Sequence, residues 1–91
     1  MNTLNTALRA DEARLNITFD GQNGDLLQPV LVGAADAELL RQAAEAIATG
    51  SVPGVRPRGP VDLSGFVVDR FPPTAQVPYH RVFVRPSTPF G

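Results

Sequence analysis

The sequence predicts a single α+β domain in which one helix packs on a sheet of four or five strands. The chain has 91 residues, a length that suits one hydrophobic core. Four segments show the alternation or the β-branched and aromatic content of strands. One segment between them has the apolar spacing of an amphipathic helix. The predicted element order is therefore β-β-α-β-β.

The first half of the predicted sheet is a hairpin. Residues 15–19 alternate apolar and polar side chains, as a half-buried strand does. Residues 20–25 contain an Asp-Gly and an Asn-Gly pair, which readily adopt the positive φ values of a tight turn. Residues 26–32 are the second predicted strand. Pro29 has no amide proton for a central ladder, so this strand is predicted at a sheet edge.

The predicted helix covers residues 37–49. Asp36 suits the N-cap position, and together with Glu38 it places negative charge at the positive end of the helix dipole. The helix should end where Gly50 adopts a left-handed conformation, since Pro53 prevents further continuation. The apolar face predicted to pack on the sheet consists of Leu40, Ala43, Ala44 and Ile47.

The remainder of the chain contains a long loop and two more strands. Residues 51–65 hold three prolines and three glycines and are predicted to form an irregular surface loop, with Arg56 and Arg58 in solvent. Strands are predicted at residues 66–71 and 79–85, joined by a proline-containing turn.

Three sections of different character are predicted along the chain. Residues 1–14 are expected to be a flexible, loosely attached leader or a short helix. Residues 15–85 are expected to form the folded domain. Residues 86–91 contain two prolines and no strand pattern, so they are expected to project from the domain as an extended tail.

The composition excludes several classes of protein. Eight arginines against nine carboxylates leave a net charge of -1, which favours no nucleic-acid or membrane-surface partner. The lack of cysteine excludes disulfides, thiolate metal sites and a cysteine nucleophile. No stretch of ~18 apolar residues is present, so no membrane span or signal peptide is expected. The chain also has no lysine, so it offers no ε-amine for isopeptide bonds.

No catalytic residue, metal ligand or cofactor site is predicted. His80 is the single histidine, and Asp69 on the neighbouring strand is a candidate partner for it. No cysteine or serine elbow accompanies them, and no glycine-rich phosphate loop follows a strand. The chain is therefore expected to be a substrate or ligand of enzymes rather than an enzyme.

The last strand supplies a candidate partner-binding surface. If Val82 and Val84 face the helix, then Arg81, Phe83 and Arg85 face solvent together. Arginine and aromatic residues are typical of binding hot spots. The alternative interpretation is that the arginine stems merely cover an exposed ring.

The arrangement of these elements resembles that of ubiquitin-like proteins. A hairpin, one helix, a loop and a last strand that leads into a tail ending in Gly91 occupy residues 15–91. The resemblance implies a β-grasp fold with a mixed four- to five-stranded sheet, in which the first and last strands pair in parallel at the centre. It also implies an edge position for the second strand, as Pro29 indicates independently.

The resemblance implies a cytoplasmic protein modifier that acts as a monomer, and the lysine-free, alanine-rich composition indicates a bacterial one. Its partners would be an adenylating enzyme that activates Gly91, a conjugating enzyme, a protein target and, as a further candidate, a processing peptidase. Arg85 matches an arginine that activating enzymes contact in the family. Phe90 stands where the family usually has a second glycine, and it is a further candidate partner contact. A sulfur carrier of the same fold and a non-conjugated interaction module are the alternatives.

Overall fold

A computed structural model of the protein describes residues 8–87, which form a mixed five-stranded sheet with one helix packed on it. The elements are β1 (Glu12–Phe19), β2 (Gln22–Asp25), β3 (Val30–Leu31), α1 (Asp36–Ala48), β4 (Phe66–Phe71) and β5 (His80–Pro86). The order across the sheet is β2-β1-β5-β4, and β3 also pairs with β1. The predicted α+β class is confirmed, and the topology is β-grasp-like.

The centre of the sheet is the parallel pair of β1 and β5. Their register places Leu15 beside Val82 and Ile17 beside Val84. These four side chains are at most 1% exposed. The other strand pairs are antiparallel. The parallel pairing expected for the first and last strands is confirmed.

The turn between β1 and β2 is two residues long. Asp20 has φ 55° and Gly21 has φ 76°, and two successive positive φ values characterise the type I′ turn of hairpins. Of the two predicted turn pairs, Asp20-Gly21 forms the turn, whereas Asn23-Gly24 lies within β2. The predicted extension of the turn to residue 25 is wrong, because β2 begins at Gln22.

The sheet edge beside β1 consists of two short strands. The predicted strand over residues 26–32 is wrong, since only Val30–Leu31 pairs with β1 there. Pro29, which cannot donate a main-chain hydrogen bond, lies immediately before β3. The predicted edge position is confirmed. The first residues of β1, which pair with β3, begin at Glu12. This start lies before residue 15, where the sequence predicts that the domain begins.

The helix begins without a side-chain cap. Ala35 occupies the N-cap position, and no side-chain hydrogen bond is made there. The prediction of Asp36 as N-cap is wrong: this residue opens the helix, and its carboxylate accepts a 2.6 Å hydrogen bond from Arg70 Nη1. Arg70 also donates to the main-chain oxygens of Val32 and Ala34. An arginine of β4 thereby fixes the chain where it enters the helix.

The helix ends in the way the sequence predicts. Gly50 has φ 72°, and its N–H donates to Ile47 O at 3.0 Å. The N–H of Ser51 donates to Ala46 O at 2.8 Å. These two bonds form a Schellman motif, which requires a left-handed residue such as glycine. The predicted glycine stop is confirmed.

The core is built from the sheet, the helix and part of the long loop. The buried face of the helix consists of Leu39, Ala43 and Ile47. It is centred one residue away from the predicted face, because Leu39 is buried and Leu40 lies at the border.

Apolar side chains of the loop over residues 51–65 lie in the core, so the prediction of a surface loop is wrong for them. Val52, Val55 and Leu63 are at most 5% exposed. The amide of Gln22 donates to Arg56 O, and the Arg56 N–H donates back to Gln22 Oε1, each at 2.9 Å. This reciprocal pair holds the loop against β2.

Candidate functional site

The outer face of the sheet, opposite α1, carries the predicted partner-binding residues. Val82 and Val84 point into the core and are at most 1% exposed. Arg81, Phe83 and Arg85 therefore point to the outer face, as the alternation predicts. Arg81 and Phe83 are half-buried there, and Arg85 is exposed.

Arg81 is held against two aromatic rings. The β4–β5 register places Phe71 opposite Arg81. The rings of Phe71 and Phe83 meet edge to face, with centroids 5.3 Å apart. The guanidinium carbon of Arg81 lies 5.6 Å from the first centroid and 5.9 Å from the second. Both distances are within cation–π range, so the two rings attract the guanidinium and help to position it.

The two outer-face arginines of β5 differ in their partners. Arg85 donates from Nε to Asp69 Oδ2 at 2.8 Å, and its Nη2 lies 2.8 Å from the same oxygen. Arg81 instead has a buried Nε with no hydrogen-bond partner among the described residues. The charge of Arg85 is therefore balanced within the chain, whereas Arg81 keeps an unused donor.

Two shallow depressions flank these side chains, each with a volume of about 220 Å³. The first, called the aromatic depression, is lined by Asp69, Phe71, Arg81, Phe83 and Arg85. The second, called the arginine depression, is lined by Arg14, Asn16, Asp25, Tyr79, Arg81, Val82 and Phe83. Arg81 and Phe83 belong to both and form the ridge between them.

The β1–β2 half of the outer face is a polar network. The Asn16 amide donates to Asn23 Oδ1 at 3.0 Å and to Asp25 Oδ1 at 2.7 Å. The Asn23 amide donates to Asn16 Oδ1 at 2.8 Å and to Thr18 Oγ1 at 2.9 Å. These side chains satisfy one another, so the apolar contact area for a partner lies on the β4–β5 half.

Phe71 and Tyr79 were missed by sequence reasoning. Phe71 is 44% exposed and Tyr79 is 40% exposed, which leaves both accessible to a partner. The place of Phe71 beside Arg81 depends on the register of β4 with β5, which the connection over residues 72–79 does not specify. Tyr79 lies two residues before Arg81 in the same segment of the chain. The alternation of β4 holds part of the signal, because Asp69 and Phe71 share one face of the strand.

Two other predicted site residues, Phe90 and Gly91, lie outside the described residues. The predicted pairing of His80 with Asp69 is wrong. Asp69 lies opposite Phe83 in the β4–β5 register, and its carboxylate accepts the hydrogen bond from Arg85. The histidine lies at the other end of β5.

Within residues 8–87, no group of three or more His, Cys, Asp or Glu side chains is arranged to hold a metal ion. No helix in this range has the length and apolar content needed to cross a membrane.

Comparisons with protein-family models, curated proteins and solved structures find no match to the chain. The functional argument therefore proceeds from the fold and the outer face. The outer face can recognise a partner through the Arg81 guanidinium beside two aromatic rings and through two shallow depressions.

Proposed function

We propose that the protein is a ubiquitin-like modifier, activated at Gly91 by an adenylating enzyme and conjugated to a protein target by partner enzymes. The observation that supports the proposal is the sheet topology. β5 lies at the centre of the sheet, parallel to β1, and the chain continues from it towards Gly91. In the ubiquitin-like family, this arrangement carries the reactive carboxylate away from the domain.

The proposed activation needs an unhindered carboxylate. A carboxylate oxygen of Gly91 attacks the α-phosphorus of ATP, and pyrophosphate leaves. A nucleophile then displaces AMP from the acyl adenylate. Glycine suits this position because no side chain obstructs the in-line approach. Phe90 is bulkier than the family's usual glycine, so the adenylating enzyme would need a wider channel.

The outer face is the proposed docking surface for the partner enzymes. Phe71 and Phe83 supply ring edges that a partner can desolvate, and Arg81 supplies an oriented positive charge. Arg85 contributes less charge than the sequence suggests, because Asp69 already accepts its hydrogen bond.

A non-conjugated interaction module is the second candidate. The outer face provides a partner surface whether or not Gly91 reacts, and this observation favours the module independently. A sulfur carrier is a further outcome to be tested. It would use the same activation, and a sulfide-level sulfur donor would then displace AMP from the acyl adenylate to leave a thiocarboxylate.

Intact mass spectrometry tests the proposal. The full chain is incubated with ATP, an adenylating and a conjugating enzyme from the same genome and a candidate target protein, and a parallel reaction adds sulfide as the sulfur source. A chain lacking Gly91 is the matched control. A covalent adduct that needs Gly91 supports the modifier. A mass increase equal to the exchange of one oxygen for sulfur supports the carrier instead. An unchanged mass contradicts both and leaves the interaction module.

A further inference from the structure

The outer edge of β4 has no neighbouring strand among residues 8–87. β5 pairs with β4 on one side only, and residues 72–79, which connect the two strands, contain no strand that could cover the other side. The opposite edge of the sheet is closed instead. Gln22 and Arg56 bond the long loop to β2, and a Cβ at Gly54 would lie 2.8 Å from Asn23 O.

The hydrogen-bond pattern shows which main-chain groups of β4 face the open edge. Phe66 lies opposite Pro86, and its N–H donates to Leu63 O at 3.0 Å rather than to β5. Because Pro86 has no N–H to donate, these two residues form a non-hydrogen-bonded pair. Such pairs alternate with hydrogen-bonded pairs along an antiparallel ladder. The main chains of Val68 and Arg70 therefore also face away from β5, each with one N–H and one C=O.

These edge-facing groups can bond a further strand. Among the described residues, none forms a main-chain hydrogen bond with Val68 or Arg70 on this side. Main-chain donors and acceptors need partners, and a row of them at a sheet edge is a template for another extended chain. Binding by strand addition uses this property.

The side chains of β4 favour an uncharged strand as the neighbour. Both charged residues of β4 have partners within the chain, since Asp69 accepts a hydrogen bond from Arg85 and Arg70 donates one to Asp36. The edge therefore carries no unbalanced charge. Apolar and β-branched side chains on an added strand would pack against the rest of β4. These remaining residues are all apolar and are half-buried or exposed: Phe66, Val67, Val68 and Phe71.

We propose that the open edge of β4 binds an extended, uncharged segment of a partner protein, which joins the sheet as an added antiparallel strand. A second copy of this chain fits less well. Antiparallel pairing of Val68 with Arg70 of the copy would place the two Asp69 side chains directly opposite each other, and like charges there are unfavourable. The inference goes beyond the proposed function, because the edge site does not involve Gly91.

Main-chain amide NMR of the full chain tests the inference. The probe is the blocked peptide acetyl-Thr-Val-Thr-Val-Thr-amide with both valines N-methylated, which leaves donors on one edge of the peptide only. The control peptide is N-methylated at all five residues. We expect the probe to shift the amide proton signals of Val68 and Arg70, with a dissociation constant of about 1 mM. The signal of Asp69, which faces β5, should change little, and the control should bind about tenfold more weakly.

Two substitutions at one position give the matched comparison. Val68→Pro removes an edge-facing N–H and no bond of the β4–β5 ladder, a change that edge strands tolerate. It should weaken binding of the probe about tenfold. Val68→Ala also shortens the side chain but keeps the N–H, so it should change binding by less than about twofold. The amide spectrum of each variant confirms folding. If Val68→Pro does not fold, the two peptides and the alternation of shifts along β4 decide the question.

Equal binding of the two peptides, or no binding of either at about 10 mM, overturns the inference. Signal changes confined to Phe71 and Phe83 would place the peptide on the outer face and overturn the assignment to the edge. Concentration-dependent changes at Val68 and Arg70 without peptide would identify a second copy as the occupant instead. The titration contains no enzyme, so its result is independent of the mass experiment on Gly91.

Discussion

At the scale of single residues, Gly24 shows how space rather than turn geometry can require glycine. Its φ is not positive, but it lies on the inner side of β2, opposite buried Ile17. A Cβ there would lie 2.1 Å from the main-chain oxygen of Pro53 and 3.0 Å from Val52 Cγ1. The long loop therefore approaches β2 too closely for any side chain.

Gly24→Ala should lower the free energy of unfolding by about 2 kcal/mol, because the loop main chain must move to admit the methyl group. Urea denaturation measures this change. Gly33→Ala is the control, since a Cβ at Gly33 has no atom within 4 Å, and it should change stability by less than about 0.5 kcal/mol. Equal losses in the two variants would contradict the close approach of loop and strand.

The two faces of β5 should respond differently to truncation. Val82→Ala removes methyl groups from a fully buried side chain and should cost about 2 kcal/mol of stability. Phe83→Ala should spare the fold, at a cost of about 1 kcal/mol, and weaken partner binding by about 1 to 3 kcal/mol. Denaturation and binding to the partner enzyme measure the two effects. Global unfolding of the Phe83 variant alone would mean that the faces are assigned the wrong way round.

At the scale of elements, the helix is fixed at its N-terminus by a strand and not by a cap. Ala35 has the extended backbone of an N-cap residue, with φ -64° and ψ 153°, but no side-chain acceptor. Arg70 supplies the long-range attachment instead, through Asp36 and two main-chain oxygens. Among the described residues, no side chain caps the first turn, so its N–H groups could accept a capping side chain as a partner.

Ala35→Ser should stabilise the protein by about 1 kcal/mol, because its hydroxyl can accept a hydrogen bond from the first turn. Thermal and urea denaturation measure the gain. Ala48→Ser makes the same chemical change at an exposed position of the last helical turn, where no N–H group needs a partner, and should give no gain. A stabilisation at both positions would show that capping is not the cause.

The exposed side of the helix carries a strongly shifted carboxyl group. Hydrogen bonds from Arg41 and then from Gln42 lower the pKa of Glu38 to about 2. Because the folded pKa lies below the unfolded value, the stabilisation is present above pH ~4.3. It is lost as the pH falls towards the folded pKa.

Arg41→Gln should raise the pKa of Glu38 towards its ordinary value, as carboxyl carbon NMR can follow. Asp62 is an internal control in the same titration. Hydrogen bonds from the Ser64 main chain and side chain lower its pKa, so the substitution should leave it unchanged. A Glu38 pKa that stays near 2 would show that Arg41 is not the main cause.

At the scale of the whole molecule, stability should be concentrated in the central parallel pair. β1 has neighbours on both sides, and so does β5, whereas β2, β3 and β4 lie at edges. Amide hydrogens that are bonded between β1 and β5 should therefore exchange with solvent most slowly, because these bonds open only with the core. Hydrogen-exchange NMR measures this order. Slower exchange in β4 than in β1 would contradict the topology.

The site was predictable only in part. Alternation along β5 predicts that Arg81, Phe83 and Arg85 share one face, because side chains alternate strictly in a strand. The same pattern cannot show that Asp69 accepts a hydrogen bond from Arg85 or that the Phe71 ring lies against the guanidinium of Arg81. That division depends on the register with β4, which the connection between the strands leaves open.

What the sequence by itself determined is local: a tight turn within residues 20–25, the Gly50 helix stop and which side chains of β5 share a face. Each depends on backbone preferences or periodicity within a few residues. Tertiary structure alone decided that polar residues 22–25 form a strand, that the loop over residues 51–65 enters the core and that Arg70 attaches the helix. These features join segments distant in sequence, so their free energy exists only after the chain has closed long loops around a common core.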